Sequence, residues 1–392
     1  MSSQNMFYTP LIDTQDHHPA LRESVAKLMG GFGRAYFQDI VKRGARAGDL
    51  WKALGEAGFL GVHMPEEYGG GGGGMSDYYT IIEEVAAHGC PLLAMVINSI
   101  CSPMIGAYGS DEMKREWLPD LASGARRMAF GITEPNAGSN THNVSTTARR
   151  TADGWTLSGN KYWTSAIDES DAVLVVARDA DLSTPERSAL SLFIVPTDAK
   201  GLSWTKIDSA VQIAEDSFFT YYDDIKLPPE ALVGQAGNGL KQLFIGLNPE
   251  RVAVSAINNG ISRFALAQAA QYACDRTVWK SPIGAHQGIA HPLAEAFIGV
   301  QQARLMAARA ADLYDRGEDA AEASNMAKFA AAESSLKALD QAIQVHGGNG
   351  MSYEYGLADL WFVARLHKTA PVSREMVLNH IAQHSLGLPK SY

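Results

Sequence analysis

Between about residues 128 and 236 the chain carries several strand-like runs with no helical pattern between them, and this limits its fold more than any other feature. Parallel strands need long crossover connections, usually helices. Strands joined only by loops therefore predict a small antiparallel barrel or sandwich. Asp153-Gly154 marks a tight hairpin turn between residues 146–150 and 155–158. Residues 172–177 and 190–195 read as short apolar strands, and 220–227 alternates into another that ends at Pro228.

Both flanks are helical. Leu21, Val25, Leu28 and Met29 recur at helical spacing, as do Leu50, Leu54 and Phe59. Ser76 is placed to cap a helix through Tyr79, Ile81, Ile82 and Val85. Ser110 is placed to cap a segment with Met113 and Trp117 that is expected to stop near Pro119. Beyond residue 237, Val254, Ile257, Ile261, Phe264 and Ala267 lie at helical spacings, and the Ala-rich run 320–345 suits close packing in a bundle. The expected fold is α+β in three parts: an N-terminal α-helical domain (1–127), a middle antiparallel β-barrel or sandwich domain (128–236) and a C-terminal helical bundle (237–392). The six glycines 69–74 match a dinucleotide-binding pattern trivially. No βαβ unit surrounds them and no Lys-Ser or Lys-Thr follows, so they read as a mobile surface loop.

Composition excludes several function classes. A net charge of −10 leaves no basic excess for nucleic acid, although a phosphorylated small molecule needs only local donors. The three cysteines, Cys90, Cys101 and Cys274, form neither a disulfide framework nor a CxxC pair. No run of about 18 apolar residues predicts a membrane span, and the N-terminus lacks a basic-then-apolar leader pattern. Together these predict a cytoplasmic protein. His380 and His384 are spaced like a zinc pair but lack the intervening Glu and a third ligand, so no metal is expected.

The chemistry concentrates in residues 130–165. Thr133-Glu134-Pro135 ends an apolar run, and Gly138 and Ser139 follow in a loop of small residues that lets backbone donors approach a ligand. Trp163 and Ser165 return one hairpin later and could offer a flat wall and a hydroxyl to a planar ring. Each feature alone has a bland reading: a core tryptophan, a weak loop signal, a solvated arginine at 276, a helix C-cap at Gly347-Gly348.

Taken in order, these residues resemble the signature of the acyl-CoA dehydrogenase family, and residues 250–287 and 344–350 resemble its C-terminal half. The resemblance implies FAD, an acyl-CoA substrate, an electron-transfer flavoprotein as acceptor and a homotetramer. The reaction it implies takes an α-proton with a glutamate, passes the β-hydride to the flavin and leaves a trans-2-enoyl-CoA. It implies that Phe130, Ile132, Thr133, Gly138 and Ser139 cup the flavin, Ser139 also at the acyl pocket, with Trp163 and Ser165 against the ring. The family's Arg-x-x-Phe-Gly segment becomes Arg276-Thr277-Val278-Trp279-Lys280, so Arg276 and Trp279 would reach the cofactor of a neighbouring subunit. Gln287, Gln344 and Gly348 match further cofactor positions.

The base departs from the common pattern. Where most members carry a Tyr-Glu-Gly-Thr loop, this chain has Ala370-Pro371-Val372-Ser373, with Ser373 at the Thr position and expected on the cofactor. A minority of the family, the isovaleryl- and long-chain-type enzymes, place the glutamate on a helix before an arginine, which here is Glu250-Arg251. Glu250 is the expected base and Arg251 is expected to orient it or the CoA portion. The competing reading makes Asn248-Pro249-Glu250 a helix start with a surface ion pair, and leaves Glu375 as the fallback base. Two further readings stay open: a flavin monooxygenase or oxidase on the same fold, and a non-catalytic, FAD-assisting subunit of a mixed tetramer.

Overall fold

The structure is a computed structural model, and it describes residues 18–184 and 187–390. The N-terminal stretch read as lacking a leader pattern lies outside the described residues. Six helices come first: α1 (Pro19–Met29), α2 (Arg34–Arg43), α3 (Gly48–Glu56), α4 (Met75–Ala87), α5 (Leu93–Tyr108) and α6 (Asp111–Ser123). Ser110 caps α6 as expected, its Oγ accepting from Met113 N at 3.2 Å. The helix does not stop at Pro119 but runs through it to Ser123. Ser76 is no cap either. The first amides of α4 are held by acids: Gly74 N donates to Asp77 at 2.9 Å, and Met75 N and Ser76 N donate to Asp315 at 2.5 and 2.9 Å. Asp315 comes from a distant helix, so no local pattern marks it.

The glycine run is pinned rather than loose. Gly71 N, Gly72 N and Gly73 N donate to the carbonyls of Gly61, Met64 and Val62 at 3.0, 2.9 and 2.8 Å. A Cβ at Gly70 would stand 2.2 Å from Met64 O, so the run permits two backbones to lie flush.

The middle of the chain forms one eight-stranded sheet. Its strands are β1 (Met128–Gly131), β2 (Thr147–Thr151), β3 (Gly154–Ser165), β4 (Ala172–Asp179), β5 (Leu190–Pro196), β6 (Leu202–Lys206), β7 (Ser217–Leu227) and β8 (Leu232–Val233), in the order β6-β7-β3-β2-β4-β5-β8 with β1 also on β4. The hairpin forms as expected, but its turn is residues 152–153, one residue earlier than read, because Gly154 already pairs with Thr151. The sheet is not wholly antiparallel, however, because β1 and β2 each pair with β4 in parallel. The loop 132–146 and the β2–β3 hairpin supply a crossover long enough for this without a helix.

The remainder is helical: α7 (Gly239–Asp275), a short hairpin of β9 (Thr277–Val278) and β10 (Ser281–Pro282), α8 (Gln287–Asp315), α9 (Ala321–His346), α10 (Trp361–Leu366) and α11 (Arg374–His380). Helix α7 packs on α9 and α8 and also on α4 and α5 of the N-terminal group. Val254, Ile257, Ile261 and Phe264 are buried along it, as their spacing predicts. The helix does not start at Asn248-Pro249. It passes through Pro249, whose missing N–H leaves the Ile245 carbonyl without its usual partner. Tyr314 Oη of α8 donates to that carbonyl at 3.0 Å. Among the described residues no helix is long and apolar enough to cross a membrane.

A buried ion cluster joins the two helical groups. Glu83 of α4 meets Arg22 of α1 and Arg304 of α8, each at 2.6 Å, while its neighbour Glu84 meets Arg263 of α7 at 2.7 Å. Burial pushes the Glu83 carboxyl up, but Arg22, Arg304 and Arg263 outweigh burial and hold it well below the usual carboxylate range. A depressed carboxylate stabilises the fold above its unfolded pKa and loses that contribution as pH falls. Glu83→Gln is expected to lower unfolding free energy by about 3–5 kcal/mol. Urea titrations should show the deficit at neutral pH shrinking in acid.

Candidate active site

The loop 132–146 is closed by one buried pair. Glu134 accepts from Ser145 N, Ser145 Oγ and Thr146 N at 2.6, 2.6 and 2.9 Å, and from Lys161 Nζ at 2.7 Å. Lys161 is fully buried and also donates to the Ile132 carbonyl at 3.1 Å. For Glu134, burial raises the pKa but Lys161 and the hydroxyl and amide donors pull it down further. For Lys161, burial lowers it and Glu134 only partly opposes. Sequence reading missed this pair, although the signal was present: Trp155, Leu157 and Lys161 share the inward phase of β3, where a lysine needs a buried anion.

Around this clasp lie the residues expected at a planar ring. Phe130 ends up on β1 and Ile132 just after it, both half-buried against the core beside α5. Thr133 O accepts from Tyr162 N at 2.8 Å, which ties the loop to β3. Gly138 and Ser139 are exposed at the loop's tip, with nothing within 4 Å of a Cβ placed on Gly138. Between Lys161 and Thr164 the β3–β7 register slips by one residue, and Trp163 occupies the bulge with φ 62°. A bulky residue in that region is strained, and bulges re-aim side chains next to functional sites. Trp163 is 47% exposed, its ring touching that of the adjacent Tyr162 with centroids 5.1 Å apart, so little buried packing offsets the strain. Ser165 Oγ is 3.0 Å from Ser217 Oγ.

A second group lies at one end of the helical bundle. Arg276 follows the last turn of α7, Gln287 opens α8, Gln344 lies in the last turn of α9, and Gly348 sits in the turn after it. All four are exposed. Tyr272 stacks on His346 with centroids 4.3 Å apart and accepts from Asn349 Nδ2 at 3.1 Å, which gathers these ends together. Trp279, at φ 56°, is 89% exposed. Among the described residues no hydrogen bond, ion pair or ring contact joins this group to Trp163 or Ser165. The chain alone does not bring the two halves together.

Glu250 lies between them in neither sense, for it faces the interior from the middle of α7. The surface ion-pair reading fails because residue 250 is not at a helix start. Partial burial pushes its carboxyl up to about 7, against the pull of the nearby Arg251 and Lys328. Its charge is felt by the buried Cys101 of α5. No described residue hydrogen-bonds or ion-pairs with the Glu250 carboxyl. Arg251 turns back on its own helix, donating to Leu247 O at 2.8 Å, while its Nε is buried without a partner among the described residues. Ser373 caps α11, its Oγ accepting from Met376 N at 3.2 Å. Glu375, on the first turn of that helix, is exposed. His380 and His384 have ring centroids 4.6 Å apart, and among the described residues no group of three possible metal ligands forms.

Three family models match in succession along the chain: the acyl-CoA dehydrogenase N-terminal domain over residues 15–125, the middle domain over 129–220 and the C-terminal domain over 237–386. The chain belongs to the acyl-CoA dehydrogenase family. It is 49% identical to the acyl-CoA dehydrogenase FadE12 of Mycobacterium tuberculosis, over 98% of this chain and 99% of that one. Among solved structures it is similar to butyryl-CoA dehydrogenase from Megasphaera elsdenii (26% identity, TM-score 0.86, 91% of this chain and 96% of that one). It is also similar to a chain in a structure of the electron transferring flavoprotein of Acidaminococcus fermentans (26% identity, TM-score 0.89, 95% of this chain and 99% of that one).

The clasp gives a first test of the site's architecture. Lys161→Met leaves the Glu134 carboxylate buried without its cation, which should cost about 3–5 kcal/mol. The expected result is a lower melting temperature together with new proteolytic cleavage between residues 135 and 144. An unchanged melt with an intact loop would show the pair to be incidental.

Proposed function

We propose that this protein is an FAD-dependent dehydrogenase of an acyl-CoA thioester, with Glu250 as the base and a trans-2-enoyl-CoA as product. The observation that carries the reading is the unpartnered carboxyl of Glu250, part-buried on a helix that packs against both helical groups and poised near neutrality. A general base works best with its pKa close to the working pH, and burial is the means by which a glutamate gets there. Glu375, exposed at the surface, offers no such environment. In this reading the three domains keep the proposed bounds 1–127, 128–236 and 237–392.

The residues present fit a flavin. Trp163 offers a half-exposed ring held in a strained bulge, and the open space at Gly138 and Gly348 lets a ligand touch backbone. Phe130, Ile132, Thr133, Ser139 and Ser165 would hold the ring from the sheet side. Arg276, Trp279, Gln287, Gln344 and Gly348 would hold its distal part, with Ser373 contributing from the start of α11. FAD, when bound, supplies the acceptor for the β-hydride, which no protein side chain can provide. Glu250 takes the α-proton onto a carboxylate oxygen. Arg251, with a buried unpaired Nε, favours the ionised carboxylate and is available to the thioester's CoA portion. Ser139 at the loop tip borders the acyl entrance.

Because the two groups of cofactor residues share no contact within the chain, the second is proposed to serve a neighbouring copy in a homotetramer. The strained and almost wholly exposed Trp279 supports this. Electrons are proposed to leave to an electron-transfer flavoprotein, a reading supported by the likeness to the A. fermentans structure. Two buried, reduced cysteines accord with a cytoplasmic setting.

Glu250→Gln should retain its yellow colour but lose flavin bleaching by acyl-CoA. Full bleaching in that variant retires the assignment. In the wild type the base must be ionised, so kcat/KM should rise with pH through about 7. Trp279→Ala should weaken both assembly and flavin retention. Light scattering and visible absorbance of the purified variant measure the two, and a tetramer that keeps its flavin would remove Trp279 from the site.

A further inference from the structure

Helix α9 carries a lysine where its core stripe should be apolar. Ser324, Lys328, Ala331, Ser335, Leu339 and Ala342 recur at helical spacing and are all buried, Lys328 completely. A fully buried ammonium is expensive unless something holds it. Lys328 Nζ donates to the carbonyl of Val372 at 2.5 Å, in the segment just before α11. That segment stands where other members of the family carry their base, and here it bears no carboxylate.

We propose that Lys328 is a positioning residue for the base: docked on the Val372 carbonyl, its ammonium ties the 370–373 segment to α9 and holds a fixed positive charge beside Glu250. This rests on Glu250 being the base. The charge acts on the carboxylate across the α7–α9 packing, which brings the two helices together. Burial depresses the pKa of His367, and the same cation adds to the fall; its Nδ1 lies 3.3 Å from Asn258 Oδ1 of α7, so His367 stays neutral and adds no competing charge. Of the other groups facing the pair, Arg251 acts in the same direction as Lys328 on Glu250 but lowers the pKa of Lys328 itself. Cys101 is kept as a thiol by burial. Glu333 and Glu375 help keep Lys328 charged. Burial, with Arg251 adding to it, lowers the pKa of Lys328 to about 8, while Glu250, Glu375 and Glu333 oppose the fall, so the lysine is mostly charged at neutral pH where the base begins to ionise.

The test uses the flavin-loaded enzyme with Lys328→Gln and Lys328→Arg. A cation nearby favours the carboxylate, so neutralising it raises the pKa of the base. The acidic limb of kcat/KM should move up by about one pH unit in Lys328→Gln and stay in place in Lys328→Arg. A lysine with only a structural role would lower the melting temperature and depress rates at every pH, leaving the limb where it was. That result overturns the proposal. Should Lys328→Gln fail to fold, reciprocity supplies a second measurement, because coupling between two titrating sites is mutual. In Glu250→Gln the Lys328 pKa, followed by NMR of labelled lysine and assigned through Lys328→Arg, should fall. An unchanged value overturns the proposal. The two readings fail separately. Bleaching by Glu250→Gln removes the base, whereas an inactive Glu250→Gln beside an unmoved limb in Lys328→Gln removes only the lysine.

Discussion

The setting of the Glu250 carboxyl rests on how α7 crosses Pro249, where one hydrogen bond replaces the one that the proline cannot make. Pro249 cannot donate to the Ile245 carbonyl, and an unpaired buried carbonyl is a common reason for a helix to break. Tyr314 Oη makes that bond from α8. The 37-residue α7 runs unbroken from Gly239 to Asp275, as α6 runs through Pro119. Had the helix started at Pro249, Glu250 would sit in a first turn, solvated and stabilised as an anion by the helix dipole. Its pKa would be low, and it would be a poor base. Mid-helix, the same residue loses water without gaining a donor, and burial moves it toward neutrality. The setting of the carboxyl thus goes with the helix continuing past a carbonyl five residues before it.

Why the sequence could not show this is plain from the same atoms. Asn248-Pro249-Glu250 satisfies every local rule for a helix N-terminus, and the compensating hydroxyl lies on another helix. Asp315 repeats the lesson at α4, where it displaces the locally plausible Ser76. Periodic signals fared better, since Val254 to Phe264 on α7 and the hairpin at Asp153-Gly154 depend on neighbours in the chain. The parallel pairings of β1 and β2 with β4 were hidden because their crossover is built from a loop and a hairpin. At the site, Trp163 was legible as a residue, but the bulge and positive φ that expose it were not. Lys161 and Lys328 were legible in principle, each being a charge on a buried phase, yet their partners Glu134 and Val372 could be found only in three dimensions.

Charge buried in this molecule follows two different rules. In the Glu83–Glu84 cluster and the Glu134–Lys161 clasp each charge has a close opposite, so the carboxylates are held ionised even though burial still draws Lys161 down. Such pairs specify geometry more than they add stability, since a well-packed apolar replacement can be as stable. Glu250 and Lys328 break that rule. Both are buried and both are drawn toward neutrality, yet they are not in contact, and each feels the other only through its field. A contact ion pair would hold Glu250 as a carboxylate too firmly to accept and release a proton near neutral pH.

That contrast bears on the vacant loop. A base carried on a loop can be tuned by moving the loop, whereas a base on a helix is fixed in place and must be tuned by what surrounds it. With the carboxylate on α7, the 370–373 segment no longer needs to present a side chain, and its backbone becomes the useful part. The Val372 carbonyl gives Lys328 a neutral acceptor, which satisfies the ammonium without cancelling its charge as a carboxylate would. In the proposed arrangement the absent loop glutamate and the buried lysine are two sides of one device: an acid restored beside Lys328 would weaken the field proposed to act on Glu250.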